Sequence, residues 1–468
     1  MKKENSNGST VVIQLPKAKR NLVMVGCICL MLSIACFGLS LAVIQGPILE
    51  EMDAMSYFST LTIFASLGLA ILTPIGGKLG DLFGRRNIVI IAGSVASIAG
   101  IGMGIVKTVV PFMVLRFILG AAQGAFTAAP YILIGEIFEQ KDVPKRLGLL
   151  SSSIAIGGFA GSIIAGILAD AGLLKLGIIF PVFPLLAGIL LIGFNLPNKK
   201  RETKAVIDYK GVVLLALFLS ALLLSLNYGP KIGWGNIKII VGFIAAIILG
   251  FILVKVERSA QEPIIPTNLF TNKRYRTLII VGIIAYFYQE AMNMYAPLSV
   301  QKVLGQSKTI SGALQFPRTI LIMILPIFTG LWVTKKAANS KKAMMMATGL
   351  VAIAFIVMGF TTSKTPVIIY FVALALTGIA ESFRAVSITP AAQASLDPSE
   401  LGIGTSLLTF MNSLSPLFAA AICGIVFDVN KDNIQTGING VFFLTALVAI
   451  IGFLIVLFGI KKDSSKEK

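Results

Sequence analysis

Histidine is absent from this 468-residue sequence, which removes the side chain that most often changes protonation near neutral pH or ligates a metal. Any proton work must fall to carboxylates. Charge of every kind is scarce, at 13% of residues, and acids are scarcest, 21 against 40 lysines and arginines. Cysteine is limited to Cys27, Cys29, Cys36 and Cys423, all inside apolar runs where a thiol packs as a small hydrophobe. Neither a disulfide framework nor a C-x-x-C metal pair is implied. No G-x-x-x-x-G-K-[ST] loop is present to cradle a nucleotide phosphate, which argues against an ATP-driven pump. With no clustered Ser or Cys nucleophile and no metal-ligand spacing, there is little to catalyse with, so neither an enzyme nor a resident cofactor or metal is expected. The net charge of +19 would suit nucleic acid only if the basic residues formed one solvated face. They are instead parcelled into short loops, and no nucleic-acid partner is expected.

What is abundant is apolar sequence. At 56% hydrophobic residues the chain is not an ordinary soluble globule, and its organisation follows from the bilayer as solvent. A helix needs about 20 apolar residues to cross the hydrocarbon. Fourteen such runs are predicted, over 21–46, 57–77, 87–106, 110–135, 147–169, 174–195, 211–228, 235–254, 277–298, 311–333, 343–361, 366–388, 402–425 and 439–460. The start of the chain carries charges of both signs and lacks a small-residue cleavage site before the first run, so that run is expected to stay as an anchor.

An even number of spans puts both ends on one side. Of the lysines and arginines, 29 fall in the tails and the even-to-odd connections, 8 on the opposite side, and three (Arg116, Arg318, Arg384) within spans. By the positive-inside rule both tails are expected in the cytoplasm of a cell-membrane protein. The connection near Asp397 and Glu400 contains no basic residue and is the exception. Two polar stretches read as joints: Asn198–Lys210, rich in lysine, and Val256–Arg276, with Pro263 and Pro266. They divide the chain into a tail over 1–20, six helices over 21–196, a linker with inserted helices 7 and 8 and a connector over 197–276, six helices over 277–460, and a tail over 461–468. The expected fold class is an all-α polytopic membrane protein.

Between the second and third spans stands Gly76-Gly77-Lys78-Leu79-Gly80-Asp81-Leu82-Phe83-Gly84-Arg85-Arg86. Its glycines, Gly77 and Gly84 among them, suit a tight turn between close helix ends, Asp81 suits capping of the next helix or pairing with a basic neighbour, and Arg85 and Arg86 hold the turn on the cytosolic side. Glu136 ends the fourth span, and Pro144-Lys145-Arg146 opens the fifth. A weak counterpart follows the tenth span at Gly330, Lys335, Lys336, Lys341 and Lys342.

Inside the spans, charge is expensive and therefore informative. Arg116 and Gln123 on the fourth span are seven residues apart and share a face. Glu290, near the middle of the ninth, either faces a hydrated cavity or carries a proton; either suits a proton or cation site. Tyr286, Asn293 and Met294 around it offer an aromatic wall, an amide and a soft apolar surface, a mixture fitted to a bulky amphipathic cation. Glu381 has Arg384 three residues on and reads equally as a coupling group or as half of a locked ion pair. Gly157, Gly161 and Gly166 on the fifth span form a stripe for close helix approach.

The pattern G-x-L-x-D-x-x-G-R-R at 77–86 resembles the signature of the major facilitator superfamily. Arg116-Phe117-Ile118-Leu119-Gly120 keeps the arginine and first glycine of that family's proton-coupling motif, and Gly157-x-x-x-Gly161-Ser162 resembles its antiporter motif with serine for proline. Ala296-Pro297, Gln301 to Gly305, and Gly312 to Pro317 resemble the fourteen-span drug/proton antiporter branch, in which a proline kinks or ends helix 9. The resemblance implies two six-helix bundles, with two inserted helices, rocking about a midplane cavity. It implies proton-gradient-driven efflux of amphipathic, cationic small molecules. A monomer is expected, with Arg116 from the family motif and Glu290 and Glu381 from the residues themselves as candidate coupling groups, since the resemblance carries nothing over to Glu381. It also places Asp81, Arg85, Arg86, Glu136 and Arg146 side by side as a cytoplasmic gate that locks the outward-facing state. Export or import of a specific metabolite is the alternative it leaves open; a non-transporting scaffold would show no substrate-dependent proton flux.

Overall fold

A computed structural model describes residues 13–139, 143–197, 208–259, 267–396, 401–430 and 433–460. Every regular element among the described residues is helical, and fourteen helices are long and apolar enough to cross a membrane. That uniformity has a solvent cause: hydrocarbon offers no hydrogen bonds, so each crossing segment must satisfy its backbone internally. The helices are α1 (Lys17–Glu51), α2 (Phe58–Phe83), α3 (Arg85–Ile105), α4 (Val109–Ile137), α5 (Val143–Asp170), α6 (Leu174–Asn195), α7 (Tyr209–Ile232), α8 (Ile237–Ser259), α9 (Lys273–Lys302), α10 (Gln315–Lys335, preceded by a short turn Lys308–Ala313), α11 (Ala337–Gly359), α12 (Ile368–Gln393), α13 (Leu401–Val429) and α14 (Ile434–Gly459). All fourteen predicted spans correspond to one of these helices. The end where α1 starts and α14 finishes is called proximal here; the other end is distal.

The first six helices pack α1 on α5, α2 on α4 and α3 on both α4 and α6, and the last six repeat the scheme as α9 on α13, α10 on α12 and α11 on both α12 and α14. The repeat extends to a detail of chemistry. Arg86 Nε at the start of α3 donates to the Gly193 carbonyl near the end of α6 at 2.7 Å, and Lys341 Nζ at the start of α11 donates to the Leu457 carbonyl near the end of α14 at 2.7 Å. In each bundle a cation meets the carbonyl-rich, negative end of a helix. The pair α7 and α8 packs together outside this scheme. α7 touches α2 and α13, one from each bundle, while α8 rests on α7 and exposes Ile240, Ile244, Ile247 and Phe251, an apolar face suited to lipid.

Two expectations about local structure are corrected. The stretch after residue 77 is not a loop: α2 continues to Phe83, α3 begins at Arg85, and Gly84 alone makes the turn at φ 87°, a backbone region that glycine enters without steric penalty. Asp81 lies within α2, and Gly84 holds the cap position of α3. Second, of the two outcomes expected at Pro297, it does not end α9, which runs on to Lys302 through a π-turn over Ala291–Tyr295. Proline cannot donate to the carbonyl one turn back and its ring crowds it; one extra residue in the preceding turn relieves both problems.

The glycine stripe on α5 does what close packing requires. A β-carbon at Gly161 would stand 2.6 Å from the Cys36 carbonyl oxygen of α1, and one at Gly166 would stand 2.5 Å from the carbonyl oxygen of Lys308 in the other bundle. Among the described residues, polar contact between the bundles gathers at the distal end. There Asp170 accepts from the Lys308 and Thr309 backbone N–H groups at 3.0 and 2.7 Å and from the Thr309 hydroxyl at 2.6 Å. Ser162 donates to the Gly312 carbonyl at 2.8 Å, Gln301 to the Val43 carbonyl at 2.9 Å, and Glu50 pairs with Lys302. Beside them Phe58, Tyr295 and Phe427 form an aromatic cluster from α2, α9 and α13. Lys231 of α7 pairs with Asp428 of α13 at 3.3 Å, and Ser59 of α2 donates to the same carboxylate at 3.2 Å. Among the described residues, the polar side-chain bonds given between the two bundles all belong to this distal half.

Candidate functional site

A cavity of about 700 Å³ lies between the bundles at mid-depth. Its walls come from α1, α2, α4 and α5 on one side and α9, α10, α12 and α13 on the other. Gly120 and Gly124 let α4 lie against α2: a β-carbon at Gly124 would stand 2.7 Å from the Leu69 carbonyl. From that close crossing Arg116 and Gln123 enter the cavity wall, as their seven-residue spacing predicts. Both are buried, and the Arg116 Nε and Gln123 Nε2 atoms have no hydrogen-bond partner among the described residues.

Opposite them, α9 presents Glu290 at the last position before the π-turn. Its side chain is only 6% exposed. No hydrogen bond or ion pair to its carboxylate is found among the described residues, although it and Arg116 act on each other electrostatically. The π-turn then displaces Met292, Asn293 and Met294 into the same wall. Asn293 is not a free amide: its carbonyl oxygen accepts from Gln315 Nε2 of α10 at 3.3 Å. Met294 lines the cavity as a soft apolar surface.

Glu381 has the opposite character. Arg384 grips it with Nε at 2.8 Å and with a second, shorter Nη2 contact, a two-point pairing on one face of α12. Tyr288 of α9 donates its hydroxyl to the same carboxylate at 3.2 Å, and Arg318 of α10 reaches the Tyr288 oxygen at 3.4 Å. Of the two readings left open for Glu381, the geometry is that of the ion pair. Tyr286 serves the same cluster, since the Arg384 guanidinium lies 4.0 Å from its ring centroid; one face of the expected aromatic wall is already covered by a cation.

Among the described residues, the proposed gate residues come together as one pair. Arg85 and Glu136 form an ion pair, with Nη2 at 2.9 Å and Nε at 3.0 Å from one carboxylate oxygen. Arg86 turns instead to α6, and Arg146 stacks over the Phe138 ring at 4.7 Å with Arg20 against the same ring at 5.3 Å. The side chain of Asp81 lies outside the described set, and Gly77 contributes only backbone within α2. Because Arg85 and Glu136 belong to one bundle and are paired while the distal end is sealed, this pair does not by itself lock the molecule closed at its proximal end.

Reading the sequence missed Gln315 and Arg318 as cavity residues, and Tyr288 as a partner of Glu381 beside the cavity. Arg318 had a signal, a guanidinium inside an apolar run. Tyr288 and Gln315 had none, since an aromatic and an amide at those positions become informative only once α9, α10 and α12 are set side by side.

The profile of the Major Facilitator Superfamily matches residues 25–420 and again 278–468. The chain is 25% identical over 426 residues to the multidrug transporter protein MdtP of Bacillus subtilis, covering 90% of this chain and 77% of that one. It is 23% identical over 418 residues to Multidrug resistance protein 3 of the same organism, covering 88% and 80%. It spans about half, 52%, of the length of the uncharacterised MFS-type transporter Rv1877 of Mycobacterium tuberculosis, at 25% identity over 77% of this chain. In structure it is similar to a POT family transporter in complex with a thioalcohol-conjugated peptide, with a TM-score of 0.72 at 13% identity over 94% of this chain and 95% of that one.

Proposed function

The chain belongs to the Major Facilitator Superfamily, and from that premise we propose that it is a proton-driven efflux antiporter for amphipathic small molecules bearing a cationic group. The observation that carries this reading is the Glu290 carboxylate, buried in a cavity between two bundles without a hydrogen-bonding or ionic partner among the described residues. A carboxylate at that depth is costly unless something neutralises it, and a proton or a cationic passenger does so equally well. The two therefore compete for one site. Arg116 faces the same cavity and tunes that competition through its charge. Met292, Met294 and the apolar stretches of α1, α5 and α10 accept the hydrophobic body of the passenger.

With the basic proximal end in the cytoplasm of the cell membrane, the distal seal closes the cavity toward the outside, and the molecule stands in its loading state. The ionised carboxylate takes the passenger from the cytoplasm. The bundles then rock, the distal contacts of Asp170, Ser162 and Gln301 part, and a proton entering from outside displaces the passenger. One proton taken up outside is released inside when the carboxylate next binds a passenger, so exchange follows from competition at one group. The bilayer, the passenger and protons are the partners of a monomer in this scheme; the proton gradient takes the place of any cofactor.

The test is the proton released when an organic cation such as ethidium is added to purified protein in weak buffer. Release is expected from wild-type protein and is expected to vanish in Glu290→Gln. Wild-type release in that variant would remove Glu290 from the mechanism.

A further inference from the structure

The cavity carries one positive charge more than it balances. Among the described residues, Arg116, Arg318 and Arg384 line it against Glu290 and Glu381, and Glu381 is already held at two points by Arg384. Arg318 acts on the same carboxylate only through space, with no ion pair to it among the described residues. Among the described residues it makes one side-chain hydrogen bond, from Nη2 to the Tyr288 hydroxyl at 3.4 Å, and that hydroxyl gives its own proton to Glu381. The Nε of Arg318 is buried and has no partner among the described residues. A guanidinium offers five N–H donors in a planar fork; the residue lines the cavity, and one of its donors is engaged by a side chain among the described residues. Around it, among the described residues, unfilled donors, Arg116 Nε and Gln123 Nε2 across the cavity, stand beside unfilled acceptors, the Gln315 amide oxygen and the Glu290 carboxylate.

We propose that Arg318 is the docking point for an anionic group of the passenger, a carboxylate, so that the cavity takes amphipathic zwitterions with their cation toward Glu290 and their acid toward Arg318. This rests on the reading of the cavity as the transport site and names the class of molecule it selects. The fork matches a carboxylate with two parallel N–H bonds, which a point charge such as lysine cannot reproduce. A zwitterion leaves the net charge of the cavity unchanged; what its acid supplies is an acceptor for Arg318 donors that the protein leaves unfilled. A purely cationic amphipath would find Glu290 but would add to the surplus near Arg318.

The experiment uses tetramethylrhodamine carboxylate and its methyl ester, two dyes alike in size and cation but differing in the acid. Binding is followed by fluorescence polarisation on the purified full-length protein, and pH-gradient-driven uptake is followed in proteoliposomes. The wild type is expected to bind the acid roughly tenfold or more tightly than the ester, the factor for one charge-assisted contact. Arg318→Gln is expected to erase that preference, Arg318→Lys to keep only part of it, and Tyr288→Phe to leave it in place. Equal affinity for the two dyes, absence of binding by either, or a preference that survives in a folded Arg318→Gln protein would overturn the subsite. Driven uptake of the ester without any acid preference would sink the subsite and leave the antiport reading standing. Acid preference in binding without driven uptake would do the reverse.

Discussion

Glu290 and Glu381 line one cavity between the same two bundles, yet one has no hydrogen-bonding or ionic partner among the described residues and the other is held by an arginine and a tyrosine. Depth in the membrane therefore does not tell a working carboxylate from a structural one. What separates them is whether the protein itself supplies the counter-charge. At Glu381 it does, three residues along the same helix, and the pair is backed by Tyr288 and by the ring of Tyr286 beneath Arg384. At Glu290 the next residues enter a π-turn, an irregularity that recurs at functional sites, and the counter-charge is left to something that comes and goes.

The largest expected effect would break this contrast from the paired side. Glu381→Ala leaves Arg384 and Arg318 facing each other without an acid, and breaking a buried pair by removing one partner costs about 3–5 kcal/mol. The variant is expected to lose most of its yield of folded protein and to melt well below wild type in detergent. Glu381→Leu combined with Arg384→Met removes both charges and is expected to recover most of that loss. Melting curves followed by size-exclusion chromatography decide it; a single mutant as stable as wild type would mean that the pair contributes no net stabilisation.

Glu290 is expected to behave in the opposite way. In Glu290→Gln the isolated carboxylate becomes a neutral amide, which removes a desolvated charge and breaks no hydrogen bond recorded among the described residues. Melting should stay at or above the wild-type value even though coupled export is lost. A fall as large as that of Glu381→Ala would show that Glu290 has a structural partner after all, and the contrast drawn here would collapse.

A smaller effect concerns the distal seal. Asp170 caps the first turn before α10 with three bonds from Lys308 and Thr309; an aspartate cap of this kind is worth about 0.5–2 kcal/mol. If those bonds hold the distally closed state, Asp170→Ala shifts the balance between states by roughly two- to thirtyfold. Spin labels at Leu173→Cys and Lys364→Cys, in a background lacking Cys29, are expected to report a larger share of long distances across the distal mouth. An unchanged distribution would assign the closure to packing at Gly166 and Gly312 instead.

The fold was legible because the bilayer enforces it. An apolar run of fixed length between charged punctuation has few alternatives, and all fourteen spans were found where composition placed them. The two corrections, the unbroken α2 through Phe83 and the π-turn before Pro297, concern where helices bend, which depends on partners the chain does not announce. The site was legible to the extent that charge in an apolar run is costly: Arg116, Glu290, Glu381 and Arg384 stood out for that reason. The i,i+3 spacing also disclosed the Glu381–Arg384 pair. Contacts between helices were not legible. Arg85 met Glu136 while Arg86 and Arg146 found a carbonyl and a ring, and nothing in the local sequence separates these three arginines. Arg318 and Tyr288 belong together only because α9, α10 and α12 converge.

The smallest expected effect tests whether burial, more than pairing, gives a charge its weight in this molecule. Lys302 and Glu50 form an ion pair across the same distal mouth as Asp170, with both side chains about a third or more in solvent. An exposed pair of this kind is worth about 0–1 kcal/mol and is screened by salt. Lys302→Met is therefore expected to move the same spin-label distribution only slightly, and the shift should disappear at high ionic strength, whereas the shift caused by Asp170→Ala should persist because backbone N–H groups supply two of its three bonds. A salt-resistant effect of Lys302→Met equal to that of Asp170→Ala would mean that the distal seal is a single coupled charge network. The partner supplied at Glu50 would then matter as much as the one supplied at Glu381, and the line between fixed and exchangeable charges would have to be drawn by position along the transport path.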